Sequence, residues 1–323
     1  FENVYVVPEQ KGPDPDFTTL DYPNPEDPKA FTYALNLAKE KQADIVLATD
    51  PDADRLGIYA YDTVSGEYKA FTGNMSGMLI AEYILSERKK AGTLPKDPAL
   101  VSTIVTTNMA RAISDDYGLK FIEVLTGFKY IGEQIKLFEQ NNSYNYVFGL
   151  EESYGCLAGT HARDKDAIVA VMCLCEVASY CKVNGVTLCD RMVELYKKYG
   201  FYKESQYTIT LKGVEGAKKI KEIMDGLRSN PLKKLGNRNI LRFRDYKEDV
   251  ILDYSDGSKT KTGLPTSNVL YYELEDDFWC CARPSGTEPK LKFYIGVKGN
   301  SIEDAENKLN ELTDALKADV KTD

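Results

Sequence analysis

Short apolar runs alternate with amphipathic stretches of helical period across residues 28–199, and this alternation limits the fold more than any other feature of the sequence. Residues 28–42 read as a helix with Phe31, Ala34, Leu35 and Ala38 on one face. They lead into Asp-Ile-Val-Leu-Ala-Thr at 44–49, a short apolar run bounded by polar residues. Such a run predicts a buried strand and, following a helix, an α/β layer with a parallel sheet. A strand, a turn at 64–67 and another strand come next. Residues 74–90 then predict a long amphipathic helix, 100–105 a strand, 109–117 a helix, 120–124 a strand, 130–140 a helix and 145–150 a strand. Residues 165–184 predict a largely buried helix, and 188–199 one more.

The two ends differ from this middle. Phe1 to Val7 is apolar and β-branched and reads as a strand. Pro8, Pro13, Pro15, Pro23, Pro25 and Pro28 follow it, which predicts an extended ordered loop. Near 199–206 the pattern breaks as a linker would. Strand candidates at 206–211, 240–246, 250–254, 269–274, 278–283 and 290–298, framed by helices at 215–229 and 301–319, predict an α+β domain with an antiparallel sheet. The fold class expected is therefore α/β: two α/β domains, residues 1–70 and 71–200, followed by a smaller α+β domain over 205–323. A chain of 323 residues accommodates two or three domains.

Charge and cysteine usage exclude several classes. With 41 Lys and Arg against 50 Asp and Glu, the net charge is −9, a poor match for the basic stripe of a nucleic-acid binder. The longest nearly apolar stretch, 167–180, contains Glu176 and is shorter than the roughly 20 residues a membrane span needs. Cys173, Cys175, Cys280 and Cys281 lack the spacing of a zinc site, and the seven cysteines read as reduced thiols of a cytoplasmic protein. The chain opens on Phe1 in the middle of what reads as a strand, so the expectation is that it is a piece of a longer protein.

Four segments carry chemistry. In Thr49-Asp-Pro-Asp-Ala-Asp-Arg-Leu-Gly57, Asp50, Asp52 and Asp54 alternate directly after a strand. Like charges at that spacing repel unless a cation gathers them, and hard oxygen ligands suit Mg²⁺. An EF-hand would need Gly and Glu where Arg55 and Tyr61 stand. In Gly149-Leu-Glu-Glu-Ser-Tyr-Gly155, Glu151 and Ser153 offer hydrogen-bonding groups for vicinal hydroxyls, although an ordinary acidic turn has the same composition. His161, Arg163, Asp164, Lys165 and Asp166 follow closely, and Arg163 and Lys165 offer contacts to a phosphate. In Thr126-Gly-Phe-Lys-Tyr-Ile-Gly132, Lys129 stands near a helix N-terminus, where an anion is favoured. In Arg283-Pro-Ser-Gly-Thr-Glu-Pro-Lys-Leu-Lys292, Arg283, Ser285, Thr287 and the backbone at Gly286 offer the donors of a phosphate nest, with Lys290 or Lys292 adding charge.

Taken in order, these four motifs resemble the α-D-phosphohexomutase superfamily, and most closely its phosphoglucomutase branch, which includes phosphopentomutase-like members. The resemblance runs along nearly the whole chain and implies a four-domain parent, of which this chain would hold part of domain two and all of domains three and four. It implies that Asp50, Asp52 and Asp54 bind Mg²⁺, with Arg55 beside the metal. Glu151 and Ser153 would hold the sugar, and Arg283, Ser285, Gly286 and Thr287 a phosphate. Lys129 and Lys165 match positions similar to the family's active-site lysines.

The resemblance further implies interconversion of glucose 1-phosphate and glucose 6-phosphate through a phosphoserine and glucose 1,6-bisphosphate. One departure stands out. The family's phosphoserine sits on a Ser-His-Asn-Pro-type loop, and no Ser-His pair occurs here, His161 being the only histidine. The catalytic serine is therefore expected in a missing N-terminal domain, and this chain by itself is expected to be inactive. Phosphomannomutase, phosphopentomutase and glucose-1,6-bisphosphate synthase activities fit the same motifs, as does a non-catalytic sugar-phosphate-binding protein.

Overall fold

Thr32–Lys41 forms the first helix (α1) and Ile45–Thr49 the first strand (β1), but β1 does not enter a parallel sheet. Residues 50–55 are all that separate it from Leu56–Asp62 (β2), and a parallel crossover needs a dozen residues or more. The chain instead reverses, and β1, β2 and Glu67–Phe71 (β3) form an antiparallel sheet. Phe31, Ala38 and Val46 are buried between α1 and this sheet. The Tyr68 hydroxyl donates to the Ala38 and Ala43 carbonyls at 3.0 and 2.6 Å, fastening the helix end to β3.

The computed structural model describes residues 1–320, in two units, the first Phe1–Tyr199 and the second from Gly200 onward. Phe1 to Val7 is not a strand. It pairs with no strand among the described residues, and Phe1, Val4 and Val6 are exposed.

In the rest of the first unit the expected alternation appears. Gly73–Ala91 (α2) is capped by the Thr72 hydroxyl, which accepts from the Met75 N–H, and ends on Gly92 in the left-handed region. Pro98–Thr103 (β4), Met109–Tyr117 (α3), Lys120–Val124 (β5), Phe128–Asn141 (α4) and Asn145–Leu150 (β6) alternate strand and helix. Cys156–Ala158 (β7) completes a sheet of order β5-β4-β6-β7, in which β4 pairs in parallel with β5 and β6 while β7 is antiparallel. Ala99, Val101, Phe128, Ile131, Ile135 and Leu157 close its core.

Ala167–Val183 (α5) starts two residues later than the apolar pattern predicts, because the Asp166 carboxylate accepts from the Val169 N–H and caps it. It is also less buried than expected, with Ile168 and Met172 more than half exposed. Leu188–Tyr199 (α6) follows. Among the described residues no single helix is long and apolar enough to cross a membrane.

Phe201–Thr210 (β8) opens the second unit, so the stretch read as a linker is strand from Phe201 onward. Gly213–Ser229 (α7), Lys234–Leu235 (β9), Arg238–Asp245 (β10), Val250–Asp253 (β11), Lys259–Thr260 (β12), Leu270–Leu274 (β13), Trp279–Pro284 (β14), Lys290–Gly299 (β15) and Ile302–Asp319 (α8) follow. The strands run β12-β11-β10-β13-β14-β15-β8, every pair antiparallel, with β9 on β10. Ile220 and Met224 of α7 and Leu309, Leu312 and Leu316 of α8 join the core formed on this sheet.

Candidate functional site

The tight reversal after β1 aims three carboxylates at one place. Asp50 Oδ1 accepts from the N–H groups of Asp54 and Arg55, both at 3.0 Å, and Ala53 takes a left-handed φ of 57°. The loop thus winds around Asp50, and ligand oxygens of Asp50, Asp52 and Asp54 lie within 4.8 Å of one another. Burial, and then the neighbouring Asp54 carboxyl, push the Asp50 carboxyl above its ordinary range despite the backbone donors. Arg55 leans over the loop, its Nε 3.5 Å from Asp54 Oδ1 and 3.7 Å from Asp50 Oδ2, with Glu26 at 3.6 Å on its other side.

One further feature favours a cation here. Asp54 Oδ1 is buried and accepts no hydrogen bond among the described residues. A buried carboxylate oxygen without a donor costs about 1–3 kcal/mol or more. A hard divalent cation gathering the three carboxylates would use that oxygen, so the residues fit such an ion.

Backbone hydrogen bonds stitch this loop to the rest of the unit. The Leu56 N–H donates to the Tyr154 carbonyl at 3.0 Å, and the Ala167 N–H donates to the Ala53 carbonyl at 3.0 Å. The Tyr154 bond reaches into residues 151–155, the hairpin between β6 and β7. Within that hairpin Glu151 is 5% exposed, at the carboxyl end of a parallel strand, where open α/β sheets place ligands. Its Oε1 accepts from the Gly127 N–H at 2.9 Å, and Gly127, with φ 123°, sits just before α4. Burial pushes the Glu151 carboxyl up, and the nearby Lys165 ammonium only partly offsets it. The half-buried Ser153 hydroxyl has no hydrogen-bond partner among the described residues.

Lys165 joins the two loops. Its Nζ stands 2.8 Å from Asp54 Oδ2 and 3.2 Å from Asp164 Oδ1, and its side chain is 13% exposed. Despite burial, these two carboxylates hold the ammonium above its ordinary range. Asp50, Asp52, Asp54, Arg55, Glu151 and Lys165 therefore share one electrostatic neighbourhood.

Other sequence candidates lie differently. Arg163 turns to Glu139 of α4, with Nη2 at 2.5 Å from Oε2, and to the Thr160 carbonyl at 3.2 Å. Lys129 is exposed, its Nζ 4.8 Å from the centre of the Tyr130 ring. His161 Nε2 is 2.8 Å from Asp166 Oδ2, a contact that orients the α5 cap. Sequence reasoning did not single out Glu26, the Gly127 N–H or the buried Thr126 hydroxyl, which has no partner among the described residues. The Thr-Gly pair before a helix was a usable signal for the last two, and no local pattern marks Glu26.

In the second unit, residues 285–289 connect β14 to β15. Arg283 and Lys292 are Cα partners in that ladder, and neither forms an ion pair among the described residues. The Ser285 N–H donates to the Lys290 carbonyl at 2.8 Å, and the Thr287 N–H reaches Ser285 Oγ at 3.4 Å. Gly286 and Thr287 are exposed.

Residues 1–63 match the family description phosphoglucomutase/phosphomannomutase, alpha/beta/alpha domain II, and residues 72–199 match domain III of the same family. The chain belongs to the phosphoglucomutase/phosphomannomutase family. Curated relatives agree. A phosphoglucomutase of Staphylococcus aureus strain MSSA476 is 34% identical over 312 residues, covering 97% of this chain and 55% of the relative. The protein of strain MRSA252 matches over the same shares. The chain thus spans about half the length of the curated relatives it matches.

Among solved structures, parafusin, a phosphoglucomutase from Paramecium, matches in its open form with a TM-score of 0.58 at 20% identity, over 92% of this chain and 50% of that one. A phosphoglucomutase/phosphomannomutase family protein of Burkholderia thailandensis matches with a TM-score of 0.59 at 16% identity, over 92% and 51%. At those identities the two structures show the shared fold.

Proposed function

We propose that this chain supplies the metal-, sugar- and phosphate-binding parts of a phosphosugar mutase that interconverts glucose 1-phosphate and glucose 6-phosphate. The observation that carries the reading is the joint placement of three convergent carboxylates and the buried Glu151, with Lys165 between them. A phosphoryl group in transfer needs a cation, an anchored acceptor hydroxyl and positive side chains. The first unit offers carboxylates that would hold the cation, a buried Glu151 that would anchor the hydroxyl, and the positive side chain of Lys165.

Asp50, Asp52 and Asp54 would hold Mg²⁺, whose chemistry is to neutralise charge on the transferring phosphoryl. Arg55 orients Asp50 and Asp54 from the flank. Glu151, held by the Gly127 N–H, accepts from a sugar hydroxyl, and Ser153 has its hydroxyl free to take a second. Lys129, Arg163 and Lys165 add positive charge around these loops. In the second unit, Arg283, Ser285, Gly286, Thr287 and Lys292 bind the phosphate that is not reacting. Glucose 1,6-bisphosphate is the intermediate in this reading, and a phosphoserine elsewhere in the whole protein donates and recovers the phosphoryl group. The same reading takes residues 1–70, 71–200 and 205–323 as three domains.

The test is a coupled assay of the whole protein with glucose 1-phosphate, Mg²⁺ and a trace of glucose 1,6-bisphosphate, repeated with mannose 1-phosphate and ribose 1-phosphate. Turnover of the glucose ester above the others supports the reading. Tight binding of sugar phosphate without turnover of any would replace it with a non-catalytic binding protein.

A further inference from the structure

The contact of Lys165 with Asp54 is the closest that any cation makes to the three loop carboxylates among the described residues. Its Nζ is 2.8 Å from Asp54 Oδ2, whereas Arg55 Nε stays at 3.5 and 3.7 Å from the loop carboxylates. The route of the side chain is also specific. It crosses Gly155, where a Cβ would run into Lys165 Cδ and stand 2.7 Å from its Cγ. Gly155 does not have a left-handed φ, so close approach, and not backbone conformation, is what demands glycine there. The ring of Phe128 flanks the ammonium, with its centre 5.7 Å from Nζ.

We propose that Lys165 is a built-in counter-ion of Asp54, routed by Gly155 and held on Oδ2, which a divalent cation taking the open Oδ1 of the same carboxylate repels on binding. The proposal rests on reading Asp50, Asp52 and Asp54 as a cation site. An ammonium and a divalent ion on one carboxylate repel each other, and the ammonium is the one on a flexible stem. Asp164 Oδ1, already 3.2 Å away, keeps a partner for the displaced ammonium, and the Glu151 carboxylate lies within its field. Lys165 is then a positioning residue that lowers cation affinity at rest and, once released, presents its charge beside Glu151. Reciprocity requires that whatever draws Lys165 off Asp54 also tightens the cation.

The experiment is Mn²⁺ binding to the full-length protein, followed by the electron paramagnetic resonance signal of the free ion, with no substrate present. Lys165→Met and Lys165→Gln are each expected to bind Mn²⁺ about tenfold more tightly than the wild type, from the loss of one repelling charge. Gly155→Ala shifts in the same direction by displacing the stem, and Lys165→Arg, which keeps the charge, stays near the wild type. Thermal melting identifies a variant that has failed to fold, and the other neutral variant then decides. Binding by the neutral variants where the wild type shows none supports the proposal in its strongest form. Wild-type binding that is unchanged or weakened in both neutral variants overturns the proposal and leaves the cation site standing. Absence of binding in every form overturns the cation-site reading and this proposal with it.

Discussion

Lys292 stands directly across from Arg283 in the ladder between β14 and β15, so two positive side chains share one face of the sheet with no carboxylate paired to either among the described residues. Like charges directly opposite in a sheet cost stability unless an anion lies between them. Lys292→Gln is therefore expected to raise the melting temperature slightly, by an amount worth roughly 0.2–1 kcal/mol. The same variant should weaken binding of inorganic phosphate. A lower melting temperature with unchanged phosphate binding would make Lys292 an ordinary packing residue.

Arg283→Ala removes the other member of this pair, which the proposed function assigns to a phosphate. Loss of a charge-assisted contact is worth roughly 1.5–3 kcal/mol, so kcat/KM of the whole enzyme should fall at least about tenfold. Both kcat and KM should change if, as proposed, this loop holds a distant phosphate that anchors the reacting end. Steady-state kinetics with glucose 1-phosphate would show it, and kinetics identical to the wild type would reduce the 283–292 loop to a turn.

Glu151 gives a pH prediction. Burial raises its folded-state carboxyl above the ordinary range, so the native state holds this proton more readily than the unfolded chain does. Its contribution to stability thus grows as pH falls through the raised value, and at neutral pH the buried charge is a cost. Glu151→Gln should melt above the wild type at pH 8, and the gap should close as the pH is lowered below the ordinary carboxylate range. Melting curves over pH 4–8 test the sign. A gap that widens toward acid contradicts the assigned cause.

Asp245 is 3% exposed and its Oδ2 accepts from Arg228 Nε at 2.9 Å. Removing one member of a buried ion pair leaves the other charged and unpaired, at a cost of roughly 3–5 kcal/mol. Arg228→Ala should lower the stability of the second unit by about 3 kcal/mol in urea unfolding. Adding Asp245→Asn, which removes the unpaired charge and keeps an acceptor for the Lys247 N–H, should restore part of that loss.

How far the sequence could be read depended on the distance over which each feature is decided. The helices from 74 to 199 and the strands at 100–105, 120–124 and 145–150 follow from local periodicity, and the structure has them within a few residues. The direction of β1 does not. The apolar run DIVLAT suits either sheet type, and only the short 50–55 connection forbids a parallel partner. Phe1 to Val7 has strand composition without a partner strand among the described residues. The convergence of Asp50, Asp52 and Asp54 was legible because one tight loop carries all three. Arg163 was not, since it lies in the loop before α5 while its partner Glu139 stands on α4, and nothing in the local pattern around either residue pairs them.

Those two backbone bonds on the metal loop, Leu56 N–H to Tyr154 and Ala167 N–H to Ala53, join residues roughly a third of the chain apart. Bonds between such distant residues form only after the intervening chain has been ordered, and closing long loops is what slows folding. The bonds around Asp50 are local and can form with the β1–β2 hairpin, whereas the two that tie residues 53 and 56 to Ala167 and Tyr154 wait for the sheet of β4–β7 and the start of α5. An immature chain would carry the three carboxylates on a loop without these outside ties and without the Lys165 contact, so their final setting is complete only when the first unit has finished assembling.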